Sequence, residues 1–183
     1  MPSQPVEEFS SRLIEQAGKI HLVQSVDEAA KVTNTIAKER GKGRVCCAPF
    51  TVKGRKFEPL VYSDLTFEKL ISGDALKEFE NIDVGITLCG AAISQTGSLV
   101  EISESDNYKM LSSISRVHIA ILEASKIVQN LSDLAPLIRA QFDSGKKPAI
   151  TLIGGPSRTS DIEMKSVLGV HGPHEVHAVV ITE

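Results

Sequence analysis

The run Val117-His118-Ile119-Ala120-Ile121-Leu122 is almost wholly apolar and has the length of one β-strand. A strand that is apolar on both faces is typical of a parallel sheet with helices on both sides. Five further short runs of the same kind, rich in β-branched residues, lie at residues 19–23, 44–48, 83–88, 149–153 and 176–181. We therefore expect most of these runs to form one buried, mostly parallel sheet.

Helical patterns lie between the predicted strands. Ser25-Val26-Asp27-Glu28 has the spacing of a capping box, and an amphipathic pattern follows it as far as Gly41. A second pattern runs from Leu131 to Phe142, with Pro136 near its first turn and Gly145 as its stop. This alternation predicts an α/β domain with helices on both faces of the sheet. Ligands of such domains bind beyond the carboxyl ends of the strands, so we look for a site there.

Composition and charge narrow the class of protein. The chain has 183 residues, of which 42% are hydrophobic and 23% charged, as in an ordinary packed domain. We treat residues 1–183 as a single domain, with residues 1–18 as a peripheral N-terminal helix. Lys and Arg number 20 against 23 Asp and Glu, and aromatic residues make up 4% with no tryptophan. This balance argues against a nucleic-acid-binding protein.

Cysteine usage and hydropathy indicate the compartment. The chain has 3 cysteines, and two of them, Cys46 and Cys47, are adjacent, a spacing that strains an ordinary disulfide. No apolar run approaches the roughly 18 to 20 residues that a membrane span needs. The opening Met1-Pro2-Ser3-Gln4-Pro5 lacks the layout of a secretion signal. We therefore expect a cytoplasmic protein without a membrane span.

Residues 38–56 form a basic segment. The segment contains seven Lys or Arg residues and one acidic residue, Glu39, so its local net charge is +6. Because the whole chain carries −3, the rest of the chain carries −9. One interpretation is a solvated loop around a strand, and the other is a docking patch for an acidic partner or a polyphosphate ligand.

The stretch from Ile153 to Glu163 predicts a turn between a strand and a helix. Gly154 and Gly155 permit tight backbone geometry, and Ser160 and Glu163 have capping-box spacing for a helix that Gly169 would end. Arg158 offers a planar fork that suits a carboxylate or a phosphate. Because Asp161 could pair with Arg158 instead, both a ligand site and a purely structural turn stay open.

A second polar turn surrounds Gly97, between two apolar runs. If it lies at the carboxyl edge of the sheet, its amides and hydroxyls could hold an anionic group. The alternative is an ordinary hairpin turn. Taken together, the two turns predict a receptor for a small anion, and the predicted ligand-binding residues are Thr96, Gly97, Ser98, Gly155, Ser157, Arg158 and Thr159.

The third informative stretch is Gly169-Val170-His171-Gly172-Pro173-His174-Glu175-Val176-His177. Histidines at steps of three alternate between the faces of a strand, and Gly172-Pro173 breaks any helix, so we predict no metal site here. His171 is the best single candidate for acid/base catalysis, although a surface loop histidine is the simpler interpretation. Glu101 and Glu104 are further candidate bases, on unremarkable polar positions, and Cys89 is interpreted as a core residue.

Several motifs are absent from the sequence. It contains no Cys-x-x-Cys, so we predict no iron–sulfur cluster in this chain. It also lacks the G-x-G-x-x-G, Walker and G-x-S-x-G patterns of dinucleotide-binding proteins, P-loop proteins and α/β-hydrolases. The identity of any cofactor stays open.

Three motifs in this order, at residues 95–100, 155–163 and 169–173, resemble the lactate utilization protein C family, the LutC or YkgG group that carries the LUD domain. The resemblance runs over nearly the whole chain. It implies a three-layer fold with a central, mostly parallel sheet, similar to the NagB/RpiA/CoA-transferase-like superfamily. It also implies a role in oxidising L-lactate to pyruvate beside two iron–sulfur partner proteins, without defining the step of this chain. Our leading hypothesis is an accessory subunit that binds a small carboxylate or an anionic cofactor.

The sequence departs from that family at two positions. Members commonly carry acidic residues at the positions of Gly90 and Gln95, and this chain has neither carboxylate. Family chemistry that needs those acids therefore stays open for this chain, and a divergent member that does not act on lactate is one alternative. An alternative is a free-standing enzyme that acts on a phosphorylated or CoA-linked small acid, and a third is a regulatory or scaffold domain without turnover.

Overall fold

The computed structural model describes residues 3–40, 44–59, 82–159, 167–168 and 172–183. In chain order the helices and strands are α1 (Gln4–Glu15), β1 (Lys19–Val23), α2 (Val26–Arg40), β2 (Val45–Cys47), β3 (Thr51–Val52), β4 (Arg55–Lys56), β5 (Val84–Leu88), β6 (Ala91–Ile93), β7 (Ser98–Ser103), α3 (Asp106–Ile114), β8 (Val117–Glu123), β9 (Ile127–Val128), α4 (Ala135–Asp143), β10 (Ala149–Ile153), β11 (Arg158–Thr159), β12 (Val167–Leu168) and β13 (Glu175–Ile181). Two short 3₁₀ helices, Ala124–Lys126 and Leu131–Leu134, precede β9 and α4.

The central element is a five-stranded sheet in the order β1-β13-β8-β5-β2. Every neighbouring pair in it is parallel. Its middle strands, β13 and β8, are buried along almost their whole length, as their continuous apolar sequences predicted. The expectation of a mostly parallel central sheet is therefore confirmed.

Helices cover both faces of the parallel sheet. On one face, α2 packs Ala29, Ile36 and Ala37 into a core that includes Ile119 of β8. On the other face, α1 buries Phe9 and Leu13 completely, so this helix is part of the core and is not peripheral. The α/β class with helices on both faces is confirmed.

The packing of α3 against the parallel sheet depends on one glycine, Gly85 of β5. A Cβ on Gly85 of β5 would lie 2.6 Å from the Leu111 carbonyl oxygen of α3, so the two backbones approach as closely as glycine allows. Leu111 is fully buried there.

A second sheet, in the order β10-β7-β6-β9, packs beside the first. The β6–β7 hairpin and β10 are antiparallel, and β9 runs parallel to β6. The strand predicted at residues 149–153 is therefore real but lies at the edge of this sheet, where Leu152 is 51% exposed. The other five runs form the parallel sheet, as expected for most of them, whereas the expectation that this strand is buried was wrong because it has a neighbour on one side only.

The helix predicted after Ser160 is wrong where it can be tested. Arg158 and Thr159 form β11, which pairs antiparallel with Val167 and Leu168 of β12, two residues that the predicted helix included. Their backbone groups join a ladder and cannot also make helical hydrogen bonds. Residues 160–166 and 169–171 lie outside the described residues.

The other two predicted helices are confirmed. The Glu28 backbone N–H donates to Ser25 Oγ at 3.2 Å, so the capping serine is in place at the start of α2. The pattern from Leu131 to Phe142 begins as a 3₁₀ helix and continues as α4, with Pro136 in the first turn. Within the described ranges, no helix combines the length and apolarity that a membrane crossing requires.

The structure pairs several charges of the basic segment. Arg55 forms an ion pair with Asp27, Arg40 with Glu175, and Lys56 with Glu58. These pairs favour the interpretation of the segment as a solvated loop around β2.

Candidate functional site

The two polar turns predicted from the sequence lie side by side. In the β10–β7 ladder Ile153 pairs with Leu99, so the turn at Gly97 and the turn that begins at Gly154 leave the sheet next to each other. The chain separates them by more than 50 residues, and antiparallel register brings them together. We refer to residues 96–98 and 155–159 as the paired turns.

The end of α1 packs against the paired turns. Gln16 Nε2 donates a hydrogen bond to the Thr96 carbonyl oxygen. A Cβ on Gly154 would lie 2.6 Å from Gln16 Oε1, and one on Gly155 would lie 2.7 Å from the Gln16 carbonyl oxygen. Glycine is needed at position 155, where φ is 126° and the neighbour is the backbone of the helix end, whereas the neighbour of Gly154 is the end of the flexible Gln16 side chain.

Gly97 also lies in close contact with the end of α1. Its φ is 66°, in the left-handed region, and a Cβ there would lie 2.5 Å from the Leu13 backbone nitrogen. The residue occupies the turn of the β6–β7 hairpin, which is the alternative that the sequence left open.

The paired turns lie where the parallel strands begin. Gln16 comes three residues before β1, and the Ser157 amide donates at 2.9 Å to the Pro173 carbonyl, two residues before β13. We expected this site at the carboxyl ends of the strands, and that location is wrong. The carboxyl end of α1 adds the negative end of a helix dipole here. Positive charge for an anion must therefore come from a side chain.

The hydroxyl groups of the paired turns are accessible in part. Thr96 is exposed, and its Oγ1 donates to Ser98 Oγ at 2.9 Å. Ser157 is half-buried, and a Cβ on Gly172 would lie 3.2 Å from Ser157 Cβ, so the Gly172-Pro173 segment adjoins this turn. The Arg158 and Thr159 side chains and the whole of His171 lie outside the described residues.

Glu101 of β7, which the sequence placed at an unremarkable polar position, is a buried acid. Its side chain is only 1% exposed, Ser112 Oγ donates to Oε2 at 2.6 Å, and Oε1 has no hydrogen-bond partner among the described residues. Burial raises the pKa of Glu101 to about 7, although hydrogen bonds from Ser112 and Thr87 oppose the shift. A signal was present, because Glu101 shares its strand face with the buried Leu99.

His118 lies close to this carboxyl group through Thr87. Thr87 Oγ1 and His118 Nε2 are hydrogen-bonded at 2.8 Å, and both residues are fully buried. Burial, helped by the nearby His177, lowers the pKa of His118 to about 4, so the imidazole is neutral near neutral pH. Burial, with the charge of Glu101, raises the pKa of Cys89, which agrees with its interpretation as a core residue.

His177 belongs to a separate polar cluster on β1 and β13. Its ring stacks on His21 with the centroids 5.3 Å apart, and its Nε2 lies 3.0 Å from Glu175 Oε2. Lys19 and Arg40 also pair with that carboxylate. In the part of the chain that the structure describes, no three His, Cys, Asp or Glu side chains are arranged to hold a metal ion.

Gly90 and Gln95, the two positions at which the resemblance led us to expect acidic residues, lie on either side of β6. Gly90 follows β5, and a Cβ there would lie 3.1 Å from the Ile102 side chain. Gln95 is exposed, and its backbone N–H donates to the Gln129 carbonyl at 3.0 Å.

The fold and the order of these motifs define a class of protein. The sequence profile of the LUD domain matches residues 6–181, nearly the whole chain. The chain therefore belongs to the LUD domain family. A crystal structure of a DUF162 family protein from Deinococcus radiodurans has the same fold, with a TM-score of 0.68 at 20% identity over 97% of this chain and 96% of that one.

Curated relatives place the chain more particularly in the lactate utilization protein C family. The protein of that name from Deinococcus radiodurans is 30% identical over 156 residues, which cover 84% of this chain and 70% of the relative. Those from Shouchella clausii and Bacillus subtilis are 33% and 32% identical over 110 residues, or 60% and 59% of this chain. These matches span just under half of each relative, 48% and 46%.

Proposed function

We propose that this protein takes part in lactate utilization as an accessory subunit that binds a small carboxylate at the paired turns. Membership of the lactate utilization protein C family supports the metabolic context. The observation that supports a binding site here is the register of β10 on β7, which brings two hydroxyl-rich turns side by side. The partners in this proposal are the iron–sulfur subunits of a cytoplasmic lactate-oxidising complex. The central parallel sheet supports a place in the NagB/RpiA/CoA-transferase-like superfamily.

The chemistry of the paired turns suits one carboxylate group. The Ser98 hydroxyl, which accepts from Thr96 Oγ1 and keeps its own proton, and the second N–H of the Gln16 carboxamide are neutral hydrogen-bond donors. The negative end of the α1 dipole lies at the paired turns and disfavours an anion there. A positively charged side chain is therefore needed in addition to the neutral donors. In this proposal the cation is Arg158, whose backbone continues the second turn as β11.

Replacing Arg158 with lysine is expected to weaken the binding of L-lactate by roughly ten-fold and to leave the fold intact. A bidentate, charge-assisted contact contributes about 1.5 to 3 kcal/mol, and lysine cannot reproduce its planar geometry. Isothermal titration with L-lactate and the ligand-induced rise in melting temperature measure the effect. Arg139→Lys, on the exposed side of α4, is the matched control and should bind like the unmodified protein. Equal affinity in the Arg158 variant would remove that residue from the site.

The accessory role is tested by identifying the proteins that co-purify with this chain. A tagged full chain, captured under gentle conditions from cells grown on lactate, should bring down proteins that contain iron and acid-labile sulfide. Recovery of the chain alone would contradict an obligate subunit.

A second candidate function is a free-standing enzyme that acts on a phosphorylated or CoA-linked small acid. The observation that favours it is the buried Oε1 of Glu101, which has no hydrogen-bond partner among the described residues and belongs to a carboxyl group whose pKa burial raises to about 7. His171 remains a further candidate base. Turnover of such acids by the isolated chain, lost in Glu101→Gln and kept in Glu104→Gln, would establish this function. Lactate binding without any turnover would leave the accessory role.

A further inference from the structure

Two exposed residues, Arg116 and His174, lie beside the paired turns, where β8 and β13 begin. The His174 N–H donates to the Arg116 carbonyl oxygen at 2.8 Å, so the two residues are neighbours on adjoining strands. The Ser157 N–H, in the second of the paired turns, donates at 2.9 Å to the carbonyl oxygen of Pro173, the residue before His174. Two backbone hydrogen bonds therefore connect Arg116 to the paired turns.

The end of α3 brings Arg116 to the same place by a second route. This helix ends at Ile114, two residues before Arg116. In its last turn, the Ser113 carbonyl oxygen lies 3.4 Å from the place of a Cβ on Gly172, and Ser157 Cβ lies 3.2 Å from that same place. The segment that leads into Arg116 and the second of the paired turns thus pack on the same glycine.

The charge of Arg116 is not compensated within the ranges that the structure describes. None of the ion pairs there includes this side chain. On the β13 side, the nearby Glu175 carboxylate already pairs with two other cations. On the β5 side, the Asp83 carboxylate accepts the Arg44 N–H at 3.5 Å. The Arg116 guanidinium therefore has its positive charge to offer to a ligand.

A second cation at this place has a chemical consequence. The carboxyl ends of α1 and α3 both lie here, and the negative ends of their dipoles disfavour an anion. In the proposed function Arg158 compensates one carboxylate, so a ligand with a further anionic group needs a further cation. The planar fork of a guanidinium suits a carboxylate or a phosphate, and a histidine ring keeps at least one N–H donor in either protonation state.

We propose that Arg116 and His174 form a second anion-binding subsite, so that the ligand of the paired turns is a small acid with two anionic groups. One group is the carboxylate that the paired turns hold, and in this respect the inference rests on the proposed function. The other group, a carboxylate or a phosphate, binds to Arg116 with His174 as an additional donor.

Isothermal titration at about pH 7.5 with three related acids tests the subsite. L-malate is L-lactate with a second carboxylate on its methyl carbon, and 2-phospho-L-lactate is L-lactate with a phosphate on its hydroxyl oxygen. The unmodified protein should bind one of these two acids about five-fold or more tightly than L-lactate, as expected for one further exposed charge contact. The acid that binds more tightly identifies the second group. The advantage should shrink when the salt concentration rises from about 50 mM to about 500 mM.

Arg116→Gln should abolish this advantage and leave the affinity for L-lactate within about two-fold of the unmodified protein. His174→Leu should weaken the acid with two anionic groups by about two-fold, and an unchanged affinity would remove His174 from the subsite. Arg139→Gln, which removes the same charge from an exposed position on α4, is the matched control and should keep the advantage.

The outcomes separate the subsite from the proposed function. If L-lactate binds and depends on Arg158, but neither of the other acids binds more tightly or the advantage survives in Arg116→Gln, the subsite is overturned and the carboxylate site stands. If an acid with two anionic groups depends on Arg116 and not on Arg158, the carboxylate site at the paired turns is overturned and an anion site at Arg116 remains. Failure of all three acids to bind would overturn both.

Discussion

Replacing Glu101 with glutamine is expected to stabilise the folded protein by roughly 3 kcal/mol at about pH 8 and to change its stability little at about pH 5. The pKa of Glu101 rises on folding from 4.5 to about 7, because the carboxyl group is buried. The folded state therefore binds a proton more tightly than the unfolded state does. This contribution to stability is fully present below about pH 4.5 and is lost as the pH rises through about 7. Glutamine keeps the neutral hydrogen bonds and never has to ionise.

Urea denaturation of the two proteins at both pH values measures this difference. Glu104→Gln removes a carboxyl group of the same kind from an exposed position and should shift neither value by more than about 0.5 kcal/mol. A Glu101→Gln variant that is destabilised equally at both pH values would show that Glu101 is not a buried acid in the folded protein.

Replacing Gly97 with alanine is expected to destabilise the protein by about 3 kcal/mol or more. The backbone of Gly97 has a φ of 66°, which costs an L-residue about 1 kcal/mol or more. In addition, the new Cβ would lie 2.5 Å from the Leu13 nitrogen and 2.6 Å from the Arg12 carbonyl carbon. Because both atoms belong to the backbone of α1, the contact can be relieved only if the helix end and the hairpin separate.

Gly145→Ala separates the two costs. Gly145 also has a positive φ, of 80°, but a Cβ there meets nothing within 4 Å. This variant should lose only about 1 kcal/mol, the conformational part. Thermal denaturation of both variants measures the stability that each one loses. Equal losses would mean that α1 does not contact the hairpin turn as closely as the structure shows.

The parallel sheet could be predicted from the sequence because its strands are buried on both faces. Runs such as Val117–Glu123 carry apolar residues at nearly every position, a pattern typical of strands that helices cover on both sides. The edge position of β10 could not be predicted, since Ala149–Ile153 shows the same apolar run and its direction depends on pairing with β7. The predicted helix at Val167 failed because a capping-box spacing is local, whereas pairing with Thr159 is not.

The candidate site was predictable only in part. The composition of its two turns singled them out, and their adjacency follows from a register that no local pattern encodes. Gln16 carries no signal in the sequence, since a glutamine after a helix has no special pattern. Glu101 could have been found by strand alternation, because it takes the place of an apolar residue on the face that Leu99 occupies.

The order of strands has a consequence for the newly made chain. β1 lies at the edge of the parallel sheet and pairs with β13, although 156 residues separate Lys19 from Glu175. The first helix and strand therefore leave the ribosome long before the strand that holds them has been translated. Until then Phe9 and Leu13 lack the Val176, Ala178 and Val180 side chains of their core cluster, so part of this apolar segment stays uncovered in the nascent chain.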